Sequence, residues 1–317
     1  MENVNSMSKV CLVIIFNHKF NKNIPLLEKI YSNRFHDLYY IVPFNTEQID
    51  GVDQERIIPV YETSYCFQGY ITQAYPRFKD EKYSHYIFIG DDQILNPKLN
   101  ENNILEELNI NPRESYIKEI IPYDEIANGS LKDQSNKLYN ILTAFRINGG
   151  VSYNSEIPSY EEACKKCDEK GLKIAKKLPL SFFKGKGYLG FKYLPLTIVT
   201  IGINKGLKLP YPLFKAYSDL IIIDKNSMDE FSRLSGVFAA MNIFVETAIP
   251  LAMVLACSTI KCEKDIEYYG IENWNNDIED FEKKHRRNLN SLFSNFGDKV
   301  IYYHPIKLSK WVIDECY

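Results

Sequence analysis

The chain has 317 residues and a mass of 36.9 kDa; 45% of the residues are apolar, 25% are charged and 14% are aromatic. Such a composition can bury a large core, so disordered, collagen-like and low-complexity proteins are excluded. The 38 Lys and Arg residues stand against 41 Asp and Glu residues, a net charge of −3. No strongly basic surface follows from these numbers, and nucleic acid is not an expected partner.

The first third of the chain alternates strand-like and helix-like segments. The apolar run at Lys9–Phe16 is typical of a strand covered on both faces. Pro59 cannot donate a ladder hydrogen bond, so the strand that contains it is expected at a sheet edge. The alternation predicts an α/β protein with a doubly wound parallel sheet. Strands are predicted at Lys9–Phe16, Leu38–Val42, Arg56–Val60 and Tyr86–Ile89, and helices at Ile24–Ser32 and Gln68–Phe78.

The second half continues without a linker or an internal repeat, which favours one domain over residues 1–317 with an elaborated C-terminal half. Two Ser-x-x-Glu capping boxes, at Ser159 and Ser227, predict helix starts. Later strands are predicted at 194–201 and 220–223.

The segment Val237–Cys257 is long enough to raise the question of a membrane span, because about 20 apolar residues suffice. Glu246 near its middle would cost roughly 2.5–3.5 kcal/mol on insertion. A buried helix is therefore predicted instead.

The seven cysteines form no recognisable disulfide framework, which favours a reducing cytoplasm. Cys164 and Cys167 form a Cys-x-x-Cys sequence, with two residues between them, but no second Cys-x-x-Cys accompanies it. A structural role is expected for this pair rather than a zinc site.

Asp91 and Asp92 directly follow the predicted strand Tyr86–Ile89 and Gly90. Ligands of open parallel sheets bind at the carboxyl ends of the strands. Two carboxylates there can hold a divalent cation on a diphosphate leaving group. The alternative is a solvated Gly-Asp-Asp turn.

Two further acids are candidate bases. Glu246 lies four residues after Asn242 in the apolar helix-like stretch, and hence on the same predicted helix face. A carboxylate in such surroundings needs a partner or a raised pKa, and a perturbed carboxylate in a cleft is a candidate general base. The alternative is a structural Glu bonded to the backbone or to a Lys. Asp219, just before the strand 220–223, can bind acceptor hydroxyls or act as the base, or be a plain turn acid.

The aspartate pair after an N-terminal βαβ unit resembles the DXD motif of GT-A-fold nucleotide-sugar glycosyltransferases. The resemblance implies a GT-A-like, Rossmann-type α/β fold whose mostly parallel sheet is flanked by helices. It also implies Mn²⁺ or Mg²⁺ on the donor diphosphate, with Asp92 as metal ligand and Asp91 as its helper at the ribose or the metal's water. Gly90 and Gln93 stand where many members of the family have a third acid.

A second fragment, from His304 to Trp311, resembles the His-x-x-Gly-x-x-Lys-Pro-Trp motif of some GT-A enzymes. The resemblance makes His304 a third metal ligand and Lys310 a contact of the diphosphate. Lys307 replaces the motif's Gly, and no Pro precedes Trp311.

By the same resemblance, the residues after the first strand bracket the nucleotide base and ribose. This position assigns Phe16 and Asn17 to the donor, while His18 is either a contact or a solvated loop residue. The sequence Lys184–Gly187 is a candidate flexible lid.

The spacing of Gln68–Gln73 ahead of the aspartate pair is also similar to bacterial capsule- and lipopolysaccharide-cluster transferases and, distantly, to the plant STELLO proteins. The implied protein moves a sugar from a nucleotide-diphosphate donor to a surface-polysaccharide acceptor. Residues 1–97 would bind the nucleotide and residues 98–317 the acceptor. The expected location is cytoplasmic, or peripheral at the inner membrane face beside other polysaccharide-assembly enzymes.

Three alternatives stay open from the sequence. The first concerns stereochemistry: a general base at Glu246 or Asp219 predicts inversion at the anomeric carbon, whereas the C-terminal fragment with His304 and Lys310 resembles retaining enzymes. The second is a transferase whose donor carries a nucleotide-activated group that is not a sugar. The third is a catalytically silent GT-A-like scaffold, which the missing third acid favours.

Overall fold

The computed structural model describes residues 9–126, 145, 155–178, 207–274 and 276–314. The strand predicted at 194–201 and the lid predicted at 184–187 lie outside these residues.

Fourteen strands are present in the described part of the chain, several of them only two residues long. They are β1 Lys9–Ile15, β2 Leu38–Pro43, β3 Ile57–Val60, β4 Tyr83–Gly90, β5 Ile94–Leu95, β6 Glu114–Ile117, β7 Ile121–Pro122, β8 Lys177–Leu178, β9 Leu207–Lys208, β10 Phe214–Lys215, β11 Leu220–Asp224, β12 Thr259–Lys261, β13 Tyr269–Glu272 and β14 Val300–His304.

The α-helices of the described residues flank these strands. They are α1 Ile24–Tyr31, α2 Phe67–Phe78, α3 Ile104–Glu107, α4 Tyr160–Glu169, α5 Lys225–Ala240, α6 Val245–Ala256, α7 Asn276–Lys284 and α8 Leu289–Ser294. The capping box predicted at Ser159 is confirmed, because the Ser159 side chain accepts from the Glu162 amide and the Glu162 carboxylate accepts from the Ser159 amide.

The principal sheet has seven strands in the order β12-β6-β11-β4-β1-β2-β3. Within it only β11 runs against its neighbours, β4 and β6. The predicted fold class is thus confirmed: an α/β protein with a mostly parallel sheet between helices. Pro59 lies in β3, which among the strands of the described residues pairs with β2 alone, so the edge position predicted for it is also confirmed.

The central strand β1 is apolar throughout because both of its faces are covered. Cys11 and Val13 join a hydrophobic cluster with residues of α2, α5 and α6, whereas Leu12 and Ile14 join a second cluster with residues of α1 and α8. Successive side chains of a strand point to opposite faces, so a continuous apolar run supplies both layers.

The helix start predicted at Ser227 is wrong. Strand β11 passes directly into α5, and Asp224 is the N-cap, with its carboxylate accepting from the amides of Asn226 and Ser227. The Asp224 carboxylate also accepts from the Ser115 hydroxyl on the neighbouring strand β6. Ser227 therefore lies inside the first turn, where its amide is capped by a residue that the Ser-x-x-Glu pattern does not contain.

We expect Asp224→Ala to lower the free energy of unfolding by about 2–4 kcal/mol. The loss combines a helix cap, worth about 0.5–2 kcal/mol, with a buried Ser115 hydroxyl left without its acceptor. Urea unfolding measures it. The same substitution at Asp53, which caps an exposed 3-10 turn, should cost only about 0.5 kcal/mol. Equal losses at the two sites would contradict this account.

The apolar stretch 237–257 is not one helix. It contains the end of α5 and the whole of α6, which are separated by a turn in which Asn242 has a positive φ of 55°. The prediction that Asn242 and Glu246 share a helix face is therefore wrong, and Glu246 lies in the first turn of α6. Among the described residues, no helix has the length and apolarity needed to cross a membrane.

A second, three-stranded sheet has the order β13-β14-β5. Strand β5 begins two residues after Asp92, and it pairs with β14 through Leu95–Tyr302 and Ile94–Tyr303. The Asn96 side chain donates to the carbonyl of Val300 at 2.8 Å and fixes the start of β14. This sheet brings the C-terminal strand beside the end of β4.

Candidate functional site

A cleft of about 760 Å³ lies at the carboxyl ends of β1 and β4. It gathers acids and a histidine from four separate parts of the sequence, and an asparagine from a fifth. The predicted site residues that line it are Asn17, Asp91, Asp92, Asp219, Glu246 and His304.

The end of β4 sets the positions of the aspartate pair. The Asp91 amide donates to the Ile15 carbonyl at 3.0 Å, and the Gly90 amide donates to the Asp219 carbonyl at 3.3 Å. The two aspartates then differ in environment: Asp91 is only 8% exposed, whereas the Asp92 side chain is 42% exposed. Burial, followed by the charge of Asp92, raises the pKa of Asp91 to about 7. Asp92 is thus the accessible carboxylate, and Asp91 lies behind it.

His304 reaches the aspartates because it ends β14. Just beyond it, the Ile306 amide donates to the Asp92 carbonyl at 2.6 Å and ties the two segments together. The imidazole lies between two carboxylates, with Nε2 3.3 Å from Asp92 Oδ1 and Nδ1 3.6 Å from Asp219 Oδ2.

The protonation states of this group depend on one another. Burial lowers the pKa of His304, but the hydrogen bond to Asp92 and the charges of Asp219 and Asp92 outweigh it and raise the pKa to about 9. Burial raises the pKa of Asp219 to about 6, the His304 charge opposes the rise and the Asp92 charge adds to it. The protonated imidazole of His304 lies between Asp92 and Asp219 and is a positive charge that the two carboxylates share.

The side chains of the cleft can be compared with the ligands that the metal implied by the sequence resemblance, Mn²⁺ or Mg²⁺, requires. Among the described residues no three His, Cys, Asp or Glu side chains form a ready-made ion site, and this applies to Asp91, Asp92 and His304 as well as to Cys164 and Cys167. Mg²⁺ commonly takes only one or two protein carboxylates and completes its shell with phosphate oxygens and water. The exposed Asp92 carboxylate, next to an imidazole that must lose its proton to bind, fits such an ion carried in with a diphosphate. It does not fit an all-protein cage.

Glu246 enters the cleft from the N-terminus of α6 and has a basic partner. Its carboxylate is 3.5 Å from Nζ of Lys215, whose side chain is only 7% exposed, and its backbone carbonyl accepts from the Ala216 amide. The Lys215 ammonium also lies 5.0 Å from the centre of the Tyr217 ring. The sequence left open whether Glu246 is a structural residue bonded to a Lys. The structure shows the ion pair with Lys215, and the Glu246 side chain also lines the cleft.

Two predicted residues do not line the cleft. Phe16 is fully buried and packs edge-on against Tyr40, so it supports the wall from behind. Lys310 is exposed on the 3-10 turn that follows β14, and Lys307 is the lysine of that segment that lines the cleft.

Besides Phe20, which is 42% exposed, sequence reasoning missed two exposed aromatic residues of the cleft, Tyr65 and Trp274, with exposed fractions of 54% and 45%. Tyr65 has a left-handed backbone, φ 62°, which is unusual for a bulky residue. Its amide donates to Asn17 Oδ1 at 2.7 Å, and its ring stands edge-on to His18. The role predicted for Asn17 is thus partly a structural one, since its side chain fixes Tyr65. No sequence pattern marks either aromatic residue.

Comparisons with known proteins give little for this chain. No protein-family model matches the sequence, and no curated protein matches it. A solved structure that resembles it is core-mannan synthase A from Aspergillus fumigatus in its Mn/GDP form. The sequence identity is 10% and the TM-score 0.34, over 85% of this chain and 77% of that chain. A likeness of that size carries no inference about activity.

Proposed function

We propose that the protein is a glycosyltransferase that moves a sugar from a nucleotide-diphosphate donor to a glycan acceptor, with Mn²⁺ or Mg²⁺ on the diphosphate. The observation that carries this proposal is the convergence of Asp92, Asp219, Glu246 and His304 in one cleft at the carboxyl ends of the central strands. Such edges are where α/β sheets bind ligands. The family resemblance of the sequence around Asp91–Asp92 and His304 points to the same reaction.

Charge in the cleft favours a divalent ion as an obligatory part of donor binding. Four acids line it among the described residues, and the basic groups beside them are His304, Lys307 and the loop residue His18. A diphosphate would meet repulsion from Asp92 and Asp219 unless a cation came between. Asp92, with His304 after loss of its proton, would hold that ion. Bound there, it would neutralise charge on the departing nucleoside diphosphate.

The two ends of the cleft suggest separate places for donor and acceptor. Asn17 follows β1 and Tyr65 follows β3, so both come from the β1–β3 side of the sheet. Glu246 contacts Lys215 of β10 and the Ala216 amide, in the segment that precedes β11, and β11 lies on the other side of β4 from β1. We assign the nucleoside to Tyr65 and Asn17, and the acceptor to Glu246.

In this arrangement the Glu246 carboxylate takes the proton of an acceptor hydroxyl as that oxygen attacks the anomeric carbon. The bond from that carbon to the diphosphate oxygen breaks, and the electron pair leaves with the nucleoside diphosphate. Lys307 supplies positive charge near that oxygen, as would the ion held by Asp92 and His304, and such stabilisation is often the largest catalytic contribution. Asp219 holds the His304 ring from the side away from Asp92, so we assign it to positioning rather than to the acceptor proton.

The decisive experiment is thermal unfolding with UDP, CDP, GDP, dTDP and CMP, each with and without Mn²⁺. A ligand that binds only the native state, at 100 times its Kd, stabilises it by about 2.7 kcal/mol. A shift that requires both one nucleotide and the ion supports the donor site and names the nucleotide. No shift with any pair contradicts it.

The bacterial capsule or lipopolysaccharide acceptor is proposed from the sequence resemblance alone. The cytoplasmic location is proposed from the seven cysteines, which form no disulfide framework, and contact with the inner membrane face or with other assembly enzymes from the resemblance. Measurements of nucleotide binding and of donor turnover distinguish two alternative functions. Nucleotide binding without turnover of any donor would favour a silent scaffold. Turnover only of a donor whose activated group is not a sugar would favour the other transferase.

For the nucleoside end we expect Tyr65→Ala to weaken nucleotide binding by about tenfold, because stacking of a base on an aromatic ring is worth about 1–3 kcal/mol. Calorimetric titration with the nucleotide and Mn²⁺ measures the change. Tyr61→Ala is the matched control, since Tyr61 is 62% exposed and packs on Phe44 rather than lining the cleft. Equal effects of the two substitutions would contradict a stacked base.

A further inference from the structure

Trp274 is an exposed aromatic side chain that the reaction described above does not use. The chain has two tryptophans: Trp311 is only 5% exposed, whereas Trp274 is 45% exposed and lines the cleft. Tryptophan carries a large apolar face, so leaving it in water forgoes much stabilisation from burial. A tryptophan ring left exposed at the wall of a cleft that also holds four acids indicates a ligand with both an apolar face and polar groups.

The backbone around Trp274 is held on both sides. The Asn273 amide donates to the His304 carbonyl at 2.7 Å, and the Trp274 carbonyl accepts from the Asp277 amide at the start of α7. The ring itself stands edge-to-face with His304, with 5.5 Å between centroids and 77° between planes. A surface held in this way loses little freedom when a ligand binds.

Trp274 belongs to the acceptor side of the cleft. It follows β13, which pairs with β14, and Glu272 of β13 forms an ion pair with Lys118, just after β6. In the principal sheet, β6 and β3 lie on opposite sides of β4, the strand that ends at the aspartate pair. Trp274 is therefore on the β6 side with Glu246, and Tyr65 is on the β3 side.

We infer that Trp274 is the stacking platform for a pyranose ring of the acceptor. This inference rests on the proposed function for the direction of transfer, but not for saccharide binding itself. A pyranose presents a face of C–H groups and a rim of hydroxyls. The Trp274 ring covers the face, while the carboxylates of Glu246 and Asp219 accept from the rim. The acceptor hydroxyl is thereby held toward Glu246, and the platform determines which ring shapes are accepted.

Tryptophan fluorescence tests the inference without knowledge of the natural acceptor. Trp311→Phe leaves Trp274 as the one emitting tryptophan, and Trp274→Phe leaves Trp311. The probes are methyl pyranosides of the common hexose configurations and their simple disaccharides, with and without nucleotide and Mn²⁺. We expect a saturable change of emission with a subset of these saccharides in the wild type and in Trp311→Phe, and no change in Trp274→Phe.

Affinity measurements by calorimetry complete the test and do not need the Trp311→Phe variant to fold. Trp274→Ala should weaken binding of the responsive saccharide by about tenfold, and Trp274→Tyr should restore part of it. Nucleotide affinity should change less than about twofold, since Trp274 lies away from the nucleoside end. Tyr269→Ala is the control, because Tyr269 is exposed on β13, the strand that precedes Trp274, but does not line the cleft.

Three results would overturn the inference: no saccharide response, a response unchanged in Trp274→Phe, or a loss of nucleotide affinity in Trp274→Ala as large as the loss of saccharide affinity. Failure of the proposed transfer reaction has a different signature. Saccharide binding at Trp274 without any stabilisation by nucleotide and Mn²⁺ would support the platform and contradict the donor site.

Discussion

Asp92→Asn should remove the Mn²⁺-dependent stabilisation by the donor nucleotide and lower the transfer rate by at least about a hundredfold. Asn keeps the size of the side chain but loses the charge that attracts a divalent ion. Asp92 is the more exposed of the two aspartates, and Asp91 behind it is 8% exposed. Loss of one group that stabilises a developing negative charge commonly costs about a hundred- to a thousandfold in rate.

Thermal unfolding and initial rates, each measured across a Mn²⁺ titration, provide the readout. Asp168→Asn is the matched control, because Asp168 is an exposed acid on α4 that does not line the cleft. That variant should keep the full response to nucleotide and ion. An Asp92→Asn protein that still shows the wild-type response would contradict Asp92 as the ion's ligand.

Glu246→Gln should lower turnover by a hundredfold to about ten thousandfold, the range that removal of a general base produces. Nucleotide affinity should stay close to that of the wild type, because Glu246 is on the acceptor side. Isothermal titration with nucleotide and Mn²⁺, together with steady-state rates, measures the two quantities. A parallel loss of both would instead place Glu246 at the donor.

A structural effect of Glu246→Gln must be separated from a chemical one. The substitution leaves the nearly buried ammonium of Lys215 without its charged partner, and removal of one member of a buried pair can cost about 3–5 kcal/mol. The double variant Lys215→Met with Glu246→Gln should recover stability but not turnover. Recovered turnover would show that Glu246 acts only by holding Lys215. The anomeric configuration of the wild-type product adds an independent check, since a base at Glu246 predicts inversion.

Much of the sheet is predictable because its central strands must be apolar on both faces. The runs that became β1, β2 and β4 therefore stand out in the sequence, as do the aspartates at the end of β4. Local sequence patterns do not predict the start or end of a helix correctly where the folded structure around it determines that boundary. Asp224 caps α5 in place of Ser227, and the left-handed Asn242 splits an apolar stretch into two helices.

The candidate site shows the same division. The resemblance of the C-terminal fragment singled out His304, but only the pairing of β14 with β5 shows why it lies at Asp92. That pairing joins segments far apart in the chain, which local periodicity cannot reveal. Lys307 rather than Lys310 lines the cleft because of the 3-10 turn after β14. Tyr65 and Trp274 are loop residues, and they line the cleft because of where neighbouring groups hold their backbone.

The pairing of β14 with β5 also bears on when the protein can act during its synthesis. The segment that carries Asp91 and Asp92 leaves the ribosome long before the one that carries His304 and Lys307. Contacts between distant segments form late because of the entropy of closing a long loop. A nascent chain that ends before β14 holds its aspartates beside an unpaired β5, with no imidazole between Asp92 and Asp219. Incomplete chains thus lack a finished cleft, and the group formed by Asp92, Asp219 and His304 is completed only after β14 has been synthesised.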